Sequence, residues 1–216
     1  MLDYIRGVIF DLDGTLLDSM TIWEDVAANY LRSRGVIPRP DLNEELSALG
    51  GHEIPGYFQT EYGIEASIME IKYGIQKLLE EFYFFKASLK AGVADVLQAL
   101  NSRGIMMCIA TATDRRLVEP ALERCGIIGY FVRVFTCGEE ETSKSSPDIY
   151  LRAAACLGTE IADTLVVEDA LYAIVSAKRA GFPVAGVYDI TAEDQQDEIK
   201  KWCDYYCISI DELLNL

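Results

Sequence analysis

Histidine is almost absent from this 216-residue chain, with His52 its single instance, and no two cysteines stand in a Cys-x-x-Cys spacing. Zinc sites draw on those residue types at short spacings, so a zinc centre is not expected. Basic residues are also scarce: 19 Lys and Arg face 35 Asp and Glu, for a formal charge of −16. Nucleic acids and anionic membrane surfaces are held by clustered Lys and Arg, which excludes both as expected partners. No apolar run approaches the roughly 18 to 20 residues of a membrane span, and "MLDYIRGVIFDLDG" lacks the basic start and apolar stretch of a signal peptide. The six cysteines (Cys108, Cys125, Cys137, Cys156, Cys203, Cys207) read as reduced, mostly buried small apolar residues, and the chain as a soluble cytoplasmic protein, most simply a monomer.

What is present is a large apolar fraction, 50% of the residues, enough for a substantial core. The length suits one core domain carrying an insertion. The runs "IRGVIFDLD", "GIMMCIATAT", "YFVRVFTC", "DTLVVEDA" and "PVAGVYDI" are near-continuously apolar, as strands covered on both faces should be. Between them "VADVLQALNSRG", "DRRLVEPALERCG", "PDIYLRAAACLG" and "ALYAIVSAKRAG" carry helical periodicity and end in glycine. Strand and helix alternating in this way predict an α/β fold with a parallel sheet and right-handed crossovers. The alternation stops over 18–88, where helical patterns run without a convincing strand, punctuated by Pro38, Pro40 and Pro55. Residues 18–88 are therefore expected to form a helical cap domain, with 1–17 and 89–216 forming the core. The acidic stretch "GEEET", Gly138 to Thr142, reads as a solvated loop, and Trp23 and "FYFF", Phe82 to Phe85, as cap core.

The polar residues of the core sit where the apolar runs stop. Asp11 and Asp13 close the first strand, Thr111 and Thr113 the second, Glu168 and Asp169 the "TLVV" strand, and Lys144 precedes the helix near Pro147. In an open parallel sheet, ligands bind beyond the carboxyl ends of the strands at the point where strand order reverses, so these residues are expected to converge. Like charges gathered in a low-dielectric crevice are costly unless a cation joins them, and carboxylate oxygens without imidazole or thiol point to Mg²⁺. A magnesium ion with one or two carboxylates leaves room for a substrate phosphate oxygen. The aspartate pair then divides labour. Asp11 attacks phosphorus, and Asp13 serves as general acid and base. Lys144 and Thr111 neutralise and hold the phosphoryl oxygens. Asp18 and Ser19, by contrast, are good caps for the following helix.

"DLDGTLLDS", the strand ending in Thr111, "SKSSPDIY" around Lys144, and "VVEDA" around Glu168 and Asp169 together resemble the four motifs of the haloacid dehalogenase-like phosphohydrolases. The subgroup is the beta-phosphoglucomutase-like one, whose helical cap follows the first motif. The resemblance implies a Rossmann-like core, Mg²⁺ dependence, Asp11 as nucleophile, and Asp13 as acid/base and metal ligand through its backbone carbonyl. It further implies that Asp169 ligates the metal, that Glu168 supports it, and that Thr111, Ala112 and Lys144 bind the phosphoryl group. Arg115 and His52 complete the candidate substrate contacts, Arg115 against the alternative of a solvated helix face and His52 against a surface or cap-core role. In the sugar-phosphate mutase of the subgroup a histidine stands where this chain has Trp23, and a cationic "Gly-x-Ser-Arg" stretch stands where it has "LGGHEI". Those departures favour hydrolysis of a small phosphomonoester over a sugar phosphomutase reaction, with a non-catalytic phosphate- or partner-binding protein as the third reading.

Overall fold

The structure is a computed structural model that describes residues 4–215. In chain order it contains β1 (Gly7–Phe10), β2 (Leu17–Asp18), α1 (Met20–Ser33), α2 (Leu42–Ser47), α3 (Ile54–Tyr62), α4 (Ile68–Phe85), β3 (Ser88–Leu89) and α5 (Val93–Ser102). There follow β4 (Met106–Thr111), α6 (Arg115–Arg124), β5 (Phe131–Thr136), α7 (Asp148–Leu157), β6 (Thr164–Glu168), α8 (Leu171–Arg179), β7 (Val184–Val187), α9 (Gln196–Trp202) and β8 (Tyr205–Cys207). The described residues divide into two compact units, one running up to Ser19 and again from Ala87 onward, the other Met20–Lys86.

The first unit is an α/β, Rossmann-like domain built on a parallel six-stranded sheet in the order β5-β4-β1-β6-β7-β8. Its central strands form because their residues are apolar on both faces. All four residues of β1 and all five of β6 are buried. Ile9, Cys108, Phe135, Ile149, Ala153, Leu157, Val166, Ile174, Phe182 and Val184 make a continuous core between strands and helices. Each large side chain in it contributes about 1.5–3 kcal/mol by leaving water. Strand order reverses at β1, which has β4 on one side and β6 on the other. Register puts Phe10 opposite both Ile109 and Val167, so the three strands end nearly level. The short strands β2 and β3 pair antiparallel, Leu17 with Leu89 and Asp18 with Ser88.

The second unit consists of α1 to α4. Ala27, Tyr30, Leu31, Leu42, Phe58, Ile64 and Ile71 form its core, with the rings of Tyr30 and Phe58 stacked at 5.8 Å. Ser67 starts α4 through a reciprocal capping box with Glu70. Gly74, in mid-helix, is there because a Cβ would meet the Tyr30 ring at 2.5 Å. Trp23 donates its indole N–H to the hydroxyl of buried Tyr83 at 3.0 Å.

The "GEEET" stretch is a largely exposed loop, as expected, and two of its glutamates carry ion pairs: Glu140 with Arg133 at 2.9 Å and with Arg152 at 2.7 Å, and Glu139 with Arg115 at 2.6 Å. Two expectations are corrected. The aromatic run is divided, since Tyr83 is fully buried while Phe85 is exposed. Cys156 is exposed as well, although Cys108 and Cys207 are buried, and all six cysteines are free thiols. Among the described residues, no helix is long and apolar enough to cross a membrane.

Candidate active site

The chain leaves β1 with Asp11, whose amide donates to Val167 O of β6 at 2.9 Å. That bond continues the ladder one residue past the strand and turns the Asp11 carboxylate into the place where strand order reverses. Glu168, the last residue of β6, and Asp169 beside it arrive there from the neighbouring strand. Lys144 reaches in from the segment before α7. All four are buried, and Lys144 Nζ bridges Asp11 Oδ1 and Glu168 Oε1, the latter at 2.6 Å. Tyr150, on the first turn of α7, donates its hydroxyl to the same Glu168 oxygen at 2.8 Å. Thr15 donates to Asp169 Oδ1 at 3.3 Å.

Three carboxylates and one ammonium, if all ionised, carry a net charge of −2 out of water. The protons register that imbalance. Burial, followed by the charge of Glu168, pushes the Asp11 carboxyl up to about 6, against the pull of Lys144. Asp169 is held well above the usual carboxylate range, by burial first and then by the charges of Asp11 and Glu168. For Lys144, burial works to lower the ammonium, yet Asp11 and Glu168 together keep it above its ordinary value. Carboxylate oxygens of Asp11, Glu168 and Asp169 lie within 4.8 Å of one another. These are hard oxygen donors with a charge deficit of two, a set that fits a hard divalent cation.

Asp13 stands in different company. Its Oδ1 accepts the Ser19 hydroxyl at 2.6 Å and its Oδ2 the Thr113 hydroxyl at 2.7 Å. The turn that carries Asp13 is tight: Leu16 and Leu17 both donate to Leu12 O, and Gly14 N donates to Leu17 O at 2.9 Å. Gly14 adopts φ 86°, a conformation that L side chains rarely take, which is why a glycine follows the aspartate. Thr111 ends β4 buried, its hydroxyl accepting the Thr113 amide at 3.0 Å, and Ala112 next to it is exposed.

The structure thus brings Asp11, Lys144, Glu168 and Asp169 into one cluster, and ties Asp13 and Thr111 to each other through Thr113. Two sequence candidates fall elsewhere. Arg115 is fully engaged by Glu119 at 2.7 Å, Glu139 at 2.6 Å and Val134 O at 2.7 Å, so its guanidinium is a strut for the acidic loop and its substrate role is withdrawn. His52 is exposed in the turn before α3, within the helical unit. Thr15, Ser19 and Tyr150 escaped the sequence reading as site residues. Ser19 read as a helix cap, and a lone hydroxyl carries no pattern; only the adjacency of Tyr150 to the "SKSSPD" stretch was a signal.

Comparison with known proteins bears directly on this arrangement. The family haloacid dehalogenase-like hydrolase matches residues 5–181. The chain belongs to that family. It is an enzyme of the phosphoric monoester hydrolase class within it. The Bacillus subtilis protein YhcW is 29% identical over 180 residues, covering 82% of this chain and 80% of its own. The pyrophosphatase PpaX of Oceanobacillus iheyensis is 29% identical over 183 residues, covering 85% of this chain and 83% of its own. The crystal structure of CbbY from Rhodobacter sphaeroides in complex with phosphate superposes with a TM-score of 0.77 at 22% identity, covering 97% of this chain and 96% of its own, a likeness of fold.

Proposed function

We propose that this haloacid dehalogenase-like hydrolase is a Mg²⁺-dependent phosphatase of a small, sugar-phosphate-like phosphomonoester, working through an aspartyl-phosphate on Asp11. The observation that carries the reading is the buried cluster of Asp11, Lys144, Glu168 and Asp169 at the reversal of strand order, with Asp13 held by two hydroxyls one residue beyond Leu12.

In the first step a carboxylate oxygen of Asp11 attacks phosphorus, the ester P–O bond breaks, and its electron pair leaves on the alcohol oxygen. Asp13 gives that oxygen its proton. In the second step Asp13 takes a proton from water, whose oxygen attacks the phosphorus. The P–O bond to Asp11 breaks, regenerating the Asp11 carboxylate and releasing inorganic phosphate. General acid and base help of this kind contributes about 10² to 10⁴-fold. Lys144 offsets charge on the phosphoryl oxygens and keeps Asp11 available as an anion despite its burial. Thr111 and the exposed Ala112 amide are assigned to the same oxygens.

Asp11, Glu168 and Asp169, with the backbone carbonyl of Asp13, are the residues that would hold Mg²⁺. When bound, the cation supplies positive charge that screens the approach of a phosphate dianion to this acidic cluster. We assign substrate selection to the helical unit Met20–Lys86, with His52 its candidate contact.

The test is release of phosphate from a panel of small phosphomonoesters, with and without Mg²⁺, run beside Asp11→Asn. Mg²⁺-dependent release that disappears in the variant is expected. Equal activity in Asp11→Asn removes the mechanism, and interconversion of hexose phosphate isomers faster than phosphate release replaces the hydrolase with a mutase.

A further inference from the structure

Lys90 lies just after β3, outside the charged cluster, with its side chain largely buried. Its ammonium makes three contacts: Gly14 O at 2.6 Å, Tyr188 O at 2.8 Å and Asp189 Oδ2 at 2.9 Å. An ammonium has three N–H donors, so all of them are occupied by protein and none is left for substrate. Asp189 is itself fixed, since its other oxygen accepts the amide of Thr191 at 3.1 Å and its hydroxyl at 2.8 Å. The backbone repeats the tie, with Lys90 N donating to Leu16 O at 3.0 Å.

The contact that matters is the one to Gly14, the residue that follows Asp13. Its amide is held by Leu17 O and its carbonyl by Lys90, so the two peptide groups of Gly14 are anchored to different parts of the chain. We infer that Lys90 is a positioning residue, fastening the Gly14 turn to the loop after β7 so that the Asp13 carboxyl meets the leaving oxygen. The inference rests on the reading of Asp13 as general acid. A carboxyl misplaced by about 1 Å costs about 100-fold in rate, because proton transfer needs hydrogen-bond contact in the transition state.

General acid positioning has a chemical signature that lost stability lacks. An alkyl phosphate has a poor leaving group and depends on protonation; p-nitrophenyl phosphate leaves as a stabilised anion and depends on it little. kcat/KM reports the steps through formation of the aspartyl-phosphate, where that difference resides. Lys90→Met, which keeps length and removes all three donors, is expected to lower kcat/KM about 10-fold or more for the fastest alkyl phosphate and less than about 3-fold for p-nitrophenyl phosphate. Asp189→Asn, which loosens the ammonium without emptying the site, is expected to show the same bias at smaller size. It decides the matter if Lys90→Met does not fold. Asp13→Asn is the reference. Should it lose both substrates equally, the acid reading fails and takes the inference with it. Should it show the bias while the Lys90 and Asp189 variants lose both substrates equally, or neither, the positioning role alone is overturned.

Discussion

Removing the cation of Lys144 provides a quantitative test of the charge balance in the cluster. In Lys144→Met the side chain keeps most of its volume, but Asp11, Glu168 and Asp169 remain buried without the ammonium that bridges two of them. With Lys144 present, Asp11 already rises from 3.8 to about 6, equivalent to about 3 kcal/mol against its ionised form in the fold. Taking away one partner of a buried pair costs about 3–5 kcal/mol in comparable cases. At about 2–4 °C per kcal/mol for a domain of this size, the metal-free variant is expected to melt about 6–20 °C below wild type at pH 7.5. The sign with pH follows from linkage. A carboxyl whose folded value lies above its unfolded one destabilises the fold at high pH, and the penalty shrinks as pH falls through the folded value toward the unfolded one. For Asp11 in the wild type that window runs from about 6 down to 3.8, and in the variant it extends higher. Thermal unfolding in EDTA from pH 5 to 8 measures both effects, and added Mg²⁺ should narrow the gap. A variant that melts with wild type at pH 7.5, or one whose deficit is as large at pH 5, would refute the reasoning.

Three further outcomes are expected. Mg²⁺ affinity measured by calorimetry should weaken as pH falls below about 6, because the cation must then displace the proton that Asp11 holds; an affinity flat from pH 7.5 to 5 argues against Asp11 as a ligand. Arg115→Ala should leave KM within about twofold of wild type and lower stability by about 1 kcal/mol or less, as its half-exposed ion pairs imply; a tenfold rise in KM would restore its substrate role. Gly74→Ala should destabilise the protein by about 1–3 kcal/mol in urea unfolding, despite the gain of about 1 kcal/mol that alanine normally brings to a helix, because the new methyl meets the buried Tyr30 ring at 2.5 Å. A stabilised variant would show that the ring can move aside.

The parts legible in the sequence share a physical reason. A strand buried on both faces is apolar nearly throughout, so β1, β4, β6 and β7 were visible as runs, and the polar residues Asp11, Thr111 and Glu168 stand where three of them end; edge strand β5 showed its run although Val132 and Arg133 are exposed. β8 was not visible, because three residues, Tyr205–Cys207, make no pattern of their own and become a strand by pairing with β7. The same limit applies to charge. Within the exposed loop Gly138–Thr142, the pairing of Glu139 and Glu140 with Arg115, Arg133 and Arg152 could not be read, because those arginines arrive from three other elements. Arg115 read as a substrate contact for the converse reason, its partners being remote in sequence.

The Asp-Leu-Asp segment shows how far local chemistry can be read and where tertiary structure takes over. Alternation along an extended chain separates Asp11 from Asp13, and Gly14 supplies the turn; both are written in four consecutive residues. Part of what makes the two carboxyls different is supplied from elsewhere. Asp11 is surrounded by charge from Lys144, Glu168 and Asp169, and Asp13 accepts the hydroxyls of Ser19 and Thr113. A nucleophile must stay ionised, which a neighbouring ammonium favours; a proton carrier must be held where it meets the leaving oxygen, and the hydroxyls of Ser19 and Thr113 fix both oxygens of Asp13. The two environments therefore suit the two roles in the order proposed, the cation standing with the nucleophile and the pair of hydroxyls with the proton carrier.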